Sequence, residues 1–192
     1  MKLLIKIYLE DINIHDLKQI LTAINYSITD KKNTFISIIS NNENINDIPY
    51  GIYLKSINTP ELINHKLTDF IWDIVLPITK PVIMNRNFDN IIKNKYKEKF
   101  PKFDGVLWID NGEKSDINEF PVIGRNYYKD FGYIYNPIYY KRNYKEELSD
   151  VLKINGRYFL YNVKLFQSLK MTQEDDNIYN LRKNVNFGLI KK

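Results

Sequence analysis

Apolar residues along this chain fall into short runs separated by stretches of helical spacing. Residues 2–9 (KLLIKIYL) are a compact apolar run with β-branched and aromatic bias and predict a buried strand. Ile14, Leu17, Ile20, Leu21, Ile24 and Ile28 then recur at helical intervals and make one apolar face. Asn13 is placed to cap that helix, with Asp16 favourable in its first turn. Residues 35–39 (FISII) predict a second buried strand, followed by the loop-like SNNENIND; residues 51–57 (GIYLKSI) predict a weaker strand. Thr59-Pro60 opens a short helix over 61–69, with Pro at its first position.

The second half continues the alternation. Residues 70–78 (FIWDIVLPI) predict a third strong strand, broken by Pro77 and again by Pro81. A charged helix over 87–100 precedes a strand over 104–110 (DGVLWID), which Asn111-Gly112 ends as a turn. Residues 120–124 read as a short or edge strand, and 125–131 as a helix stopped by Gly132. Residues 133–140 read as aromatic and extended, 145–152 as a helix, and 157–165 as a strand. From Thr172 the chain is polar, with a last helix expected over 178–183. Strands alternating with helices predict an α/β fold with a mostly parallel sheet and flanking helices, in one domain over 1–192.

Composition narrows the chemistry. The chain has 192 residues, no Cys and two His, so it has no disulfide framework, no thiolate zinc site and no cysteine nucleophile. His15 and His65 lie far apart and both read as surface residues. The first nine residues are too few and too charged for a signal peptide, and no apolar run nears the ~18 residues of a membrane span. A reducing cytoplasm is the simplest expected location. A net charge of +5 over this length reads as a solvated surface. The basic and aromatic mix over 125–144 would suit a nucleic acid, but such residues more often belong to core and rim, so nucleic acid stays the weakest of the expected partners. Neither a dinucleotide-binding nor a P-loop glycine pattern occurs.

In open α/β sheets ligands sit beyond the carboxyl ends of strands, so the loops there hold the candidates. After the first strand comes Glu10-Asp11, after the second Asn41-Asn42-Glu43, after the third Thr79-Lys80, and after the fourth Asp110-Asn111. Loops of this kind are polar in most proteins, so each one alone reads equally well as plain solvated chain. Glu146, Glu147 and Asp150 are candidate general bases, although carboxylates on an exposed helix are usually only solvated.

The stretches FPKFDGVLWIDNG (100–112) and PVIGRNYYKDFGYIYNPIY (121–139) resemble a family of small GT-A-like glycosyltransferases of bacteriophages and other microbial genomes. WDIVLP through NFDNIIKN (72–94), FISIISNNENIND (35–47) and KEELSDV (145–151) extend the likeness over most of the chain. The resemblance implies a Rossmann-like GT-A fold. It also implies sugar transfer from a nucleotide diphosphate donor, usually with manganese or magnesium held by clustered carboxylates.

The departures fall at the implied site. The family's basic loop after its first strand is Glu10-Asp11-Ile12-Asn13 here, and its Asp-rich run after the second is Asn41-Asn42-Glu43-Asn44. Its SDDM metal and donor motif is Ile78-Thr79-Lys80-Pro81, its HPxY histidine is Asn136, and its acidic DNEF run is Lys145-Glu146-Glu147-Leu148. The motif for a metal is not retained, so the sequence leaves the cofactor open. Two readings follow from the resemblance. In one, the chain is a metal-independent transferase. Glu147 would deprotonate the acceptor, Lys80 with Thr79 would meet the diphosphate, and Asp110, Asn111, Asn41 and Glu43 would touch the donor. In the other, it is an inactive relative kept for binding a nucleotide sugar or a protein partner, as a phage structural or host-interaction protein. The expectation leans to an inactive or strongly altered enzyme.

Overall fold

The computed structural model describes residues 1–10, 12–40, 45, 51–53, 58–111, 116–139 and 143–168. Nine strands and five α-helices alternate among them: β1 (Leu3–Tyr8), α1 (Ile14–Ser27), β2 (Thr34–Ser40), β3 (Gly51–Tyr53), α2 (Thr59–Asn64), β4 (Ile74–Ile78), β5 (Val82–Met84), α3 (Phe88–Lys99), β6 (Val106–Asp110), β7 (Pro121–Gly124), α4 (Arg125–Phe131), α5 (Tyr144–Asn155), β8 (Tyr158–Asn162) and β9 (Phe166–Ser168). Seven strands form one sheet in the order β3-β2-β1-β4-β7-β6-β8. All neighbours are parallel except β7, which runs against both β4 and β6. β5 and β9 pair antiparallel in a small second sheet. Apolar side chains pack on both faces of the main sheet, with α1 and α3 on one side and α2, α4 and α5 on the other. No helix among the described residues is long and apolar enough to cross a membrane.

Local chemistry accounts for the helix ends. Asn13 caps α1, its side-chain oxygen accepting from the Asp16 amide at 2.9 Å, as its place before the apolar face predicts. Gly132 takes a left-handed φ of 80° and closes α4. At Gly124, where β7 turns into α4, a Cβ would overlap the Tyr96 hydroxyl and the Phe103 carbonyl. That close approach requires glycine and fixes where β7 ends.

Four expectations differ from the structure. Residues 70–73 stand outside β4, which begins at Ile74, and Pro77 lies within the strand instead of breaking it. The ladder to β7 covers only Ile74 and Val75, so at Pro77 there is no β7 pairing for a missing donor to interrupt. Residues 133–139 form bends and one turn instead of an extended segment. Residues 121–124 form a short strand, as one of the two readings has it, but in the interior of the sheet and not at an edge. The run over 157–165 ends as a strand at Asn162, and the chain re-forms β9 from Phe166. The expected elements over 54–57, 172 onward and 178–183 lie outside the described residues.

Three buried charged side chains, in two places, interrupt the apolar layers. Asp89 is fully buried and accepts from the amides of Thr29 and Asp30 at 3.2 and 2.8 Å and from the Thr34 hydroxyl at 3.2 Å. Lys93 closes this network, donating to Asp30 at 2.9 Å and Thr34 at 2.7 Å. Lys6, in the middle of β1, is also fully buried. Its ammonium donates to the Ser37 hydroxyl at 3.2 Å and the His65 carbonyl at 2.9 Å, and stands 5.3 Å from the Phe70 ring centre. Burial pushes its pKa down to about 8, against the pull of Asp69.

Between about 8 and the ordinary 10.5, the unfolded chain therefore holds a proton that the folded protein releases. Stability must rise with pH across that window. Buried phenols such as Tyr135 shift upward and reverse the trend once unfolded tyrosines ionise, near pH ~10. Chemical denaturation should show the protein more stable at about pH 9.5 than at about pH 7.5, by on the order of 1 kcal/mol. Lys6→Met should flatten that difference; a slope that survives the substitution would assign it to another group.

Candidate functional site

The topology marks one crevice. From β1 the chain builds β2 and β3 on one side, then returns to place β4 on the other. At such a switch point the loops leaving adjacent parallel strands diverge and open a gap at their carboxyl ends. Glu10 follows β1 there, and Thr79-Lys80 follow β4. β6 brings Asp110 and Asn111 to the same rim.

β7 adds a residue to that rim from the opposite direction. Its pairing runs Ile74 with Gly124 and Val75 with Ile123, so its amino-terminal end lies beside the carboxyl end of β4. Its pairing with β6, Trp108 with Pro121, carries the preceding residues up beside Asp110. Glu119 stands just before β7 and projects between the two strand ends. One of its oxygens, Oε2, accepts from Lys145 Nζ at 2.6 Å and lies 3.5 Å from Lys80 Nζ. Lys80 also stands 5.0 Å from the centre of the Phe120 ring. Burial works against a charged Glu119, but Lys145 and Lys80 together outweigh it and hold its carboxyl below the usual range.

The start of α5 closes the cluster. The Tyr144 phenol is hydrogen-bonded to Thr79, and burial pushes its pKa up, with the charges of Glu119, Glu10 and Glu146 adding to the effect. The Tyr135 ring meets the Tyr144 ring edge-on at 4.7 Å. Tyr135 is completely buried, and its hydroxyl has no hydrogen-bond partner among the described residues. The structure thus gathers Thr79, Lys80, Glu119, Tyr135, Tyr144 and Lys145 at the crevice.

The other expected site residues are placed as follows. Glu147 sits two positions beyond Lys145 on α5, roughly 200° around the helix, and so faces away from the lysine pair. It pairs with Asn136 instead. Burial raises its carboxyl, the Asn136 hydrogen bond opposes the rise, and Asp150 adds to it. These are the two positions that the family resemblance assigns to its histidine and its acidic run, and they touch. The Asn111 amide is committed to the backbone. Its oxygen accepts from the amides of Leu165 and Phe166 at 3.0 and 2.9 Å, and its nitrogen donates to the Phe166 carbonyl. Asn111 therefore anchors the chain between β8 and β9. Asn41 and Glu43 lie outside the described residues.

Among residues flanking strands, the sequence directs attention to those beyond carboxyl ends and so passes over Glu119. An antiparallel strand presents its amino-terminal end at that rim, and the residue before residues 120–124 was the signal. Two ammonium groups occupy the end of β4 around one carboxylate, and among the described residues no three His, Asp or Glu side chains converge.

No protein-family profile and no curated protein sequence matches the chain. Solved structures do. Residues 1–349 of Staphylococcus aureus TarS, in complex with UDP-GlcNAc, superpose with a TM-score of 0.69 at 12% identity, covering 100% of this chain and 67% of that one. This chain spans 40% of a longer S. aureus TarS structure. A cytidylyltransferase from Leptospira borgpetersenii superposes with a TM-score of 0.56 at 10% identity, covering 100% and 97% of the two chains. A Drosophila β1,4-galactosyltransferase 7 mutant, in complex with manganese, UDP-Gal and xylobiose, does so with 0.55 at 9%, covering 93% and 79%. At these identities the likeness establishes the fold. It is a GT-A-like Rossmann fold, as expected from the sequence, and its structural neighbours include nucleotide-sugar glycosyltransferases and nucleotidyltransferases.

The Asn136 contact can be tested directly. Asn136→Ala removes the hydrogen bond that opposes burial, so an NMR titration of the Glu147 carboxyl should move further upward. An unchanged or lower midpoint would show that the two side chains are not coupled.

Proposed function

We propose that this protein is glycosyltransferase-like and binds a nucleoside diphosphate or nucleotide sugar in the crevice at the ends of β1 and β4. The observation that carries the reading is Lys80, a basic side chain at the end of β4 on the rim of a GT-A-like sheet. Solved proteins of this fold are described in complex with UDP, UDP-GlcNAc and UDP-Gal, which supports a ligand of the same class here. The diphosphate would lie against Lys80 and Thr79, and Asp110 at the end of β6 would face the ribose or sugar. Asn111 acts indirectly, by holding the wall behind Asp110 in place.

Binding, more than turnover, is the role the geometry favours. Glu147 has the raised carboxyl of a proton acceptor, yet it lies across α5 from the lysines. An acceptor hydroxyl would have to bridge those two flanks.

Titration calorimetry in EDTA should detect saturable binding of UDP, CDP or a nucleotide sugar. Lys80→Ala should weaken it by about tenfold or more. Binding that appears only with manganese would contradict the reading of Lys80. No binding of any of these ligands would leave the fold as a scaffold and turn the search to a protein partner.

A further inference from the structure

Glu119 is the unexpected charge in the crevice. A lone carboxylate at the end of β4 would repel a phosphate, yet this one is half-buried and engages two ammonium groups through a single oxygen. Those ammonium groups come from different elements, Lys80 from the end of β4 and Lys145 from the first turn of α5. Unshared, they would repel each other across a few ångströms. Sharing Glu119 Oε2 draws both to one point on the rim and orients them there.

We propose that Lys80, Lys145 and Glu119 form a built-in cation pair for the diphosphate of a nucleoside diphosphate or nucleotide sugar. In this arrangement Glu119 is the resident anion that the diphosphate displaces. The proposal rests on the nucleotide-binding reading above and adds Lys145 as a ligand contact and Glu119 as a competitor. Two ammonium groups meet at the end of β4. They neutralise phosphate charge directly, as point charges with rotatable donors.

The resident carboxylate also sets selectivity. An incoming anion gains the lysines only by taking them from Glu119. A singly charged anion exchanges one carboxylate-like partner for another and gains little. A diphosphate carries more charge over a longer span and can engage both lysines at once. Glu119 therefore costs affinity for every anion and leaves the multiply charged ones favoured.

The test uses the full chain in EDTA, with UDP and inorganic pyrophosphate as the two probes in titration calorimetry. Glu119→Gln preserves shape and removes the competing charge, so both probes should bind roughly threefold or more tightly. Lys145→Met should weaken both, and Lys145→Arg should restore most of the loss. If Glu119→Gln weakens UDP as much as Lys145→Met does, Glu119 only positions the lysines and the competitor role is overturned. If Lys145→Met leaves the affinity unchanged, the pair itself is overturned. Either result, with wild-type UDP binding intact, leaves the nucleotide-binding reading standing. If neither wild type nor Glu119→Gln binds UDP or pyrophosphate, both that reading and this inference fall. Should Glu119→Gln not fold, as a thermal melt would show, the two Lys145 variants decide.

Discussion

The Glu119 carboxylate reaches the rim of the crevice because β7 runs against its neighbours. Wedged between β4 and β6, this strand delivers its amino-terminal end to the edge where parallel strands deliver their carboxyl ends. Two lysines from elements distant in sequence then converge on one oxygen. Glycine at position 124 leaves room for the Tyr96 hydroxyl and the Phe103 carbonyl where β7 turns into α4. The register of β7 against β4 and β6 sets where Glu119 stands along the rim.

The remaining buried charges serve the scaffold. Asp89 and Lys93 join the end of α1, the start of β2 and α3 through a network in which the carboxylate accepts three hydrogen bonds. Removing one partner would strand the other in the interior, a loss of about 3–5 kcal/mol. Lys6 has fewer partners and correspondingly a depressed pKa. These hydrogen bonds join neither group to Lys80, Lys145 or Glu119, and both bear on stability through the packing of the sheet.

Much of the fold was legible in sequence because it rests on periodicity. The β1, β2 and β6 runs, the apolar face of α1 and the Asn13 cap are local signals that tertiary packing reinforced. The failures share a cause. Pro77 reads as a breaker only where both sides of a strand are paired, and residues 133–139 are too aromatic to look like bends and a turn until Tyr135 is seen buried against α5. The position of β7 could not be read at all, since strand order is a property of the whole sheet. The candidate site was legible at Thr79, Lys80 and Asp110, which follow strands in sequence. Glu119 precedes its strand, and Lys145 opens a helix, so neither stood where a parallel sheet directs attention. Glu147 and Asn136 were named separately, and only the fold shows that they touch.

The central claim is that two lysines at the end of β4 and the start of α5 hold a diphosphate without a divalent metal. A crystal structure of the protein grown with UDP in EDTA tests it most directly. The account predicts phosphate density between Lys80 and Lys145, with the Glu119 carboxylate no longer the shared partner. UDP bound elsewhere, or phosphate held through a metal with Glu119 still bridging both lysines, would contradict it.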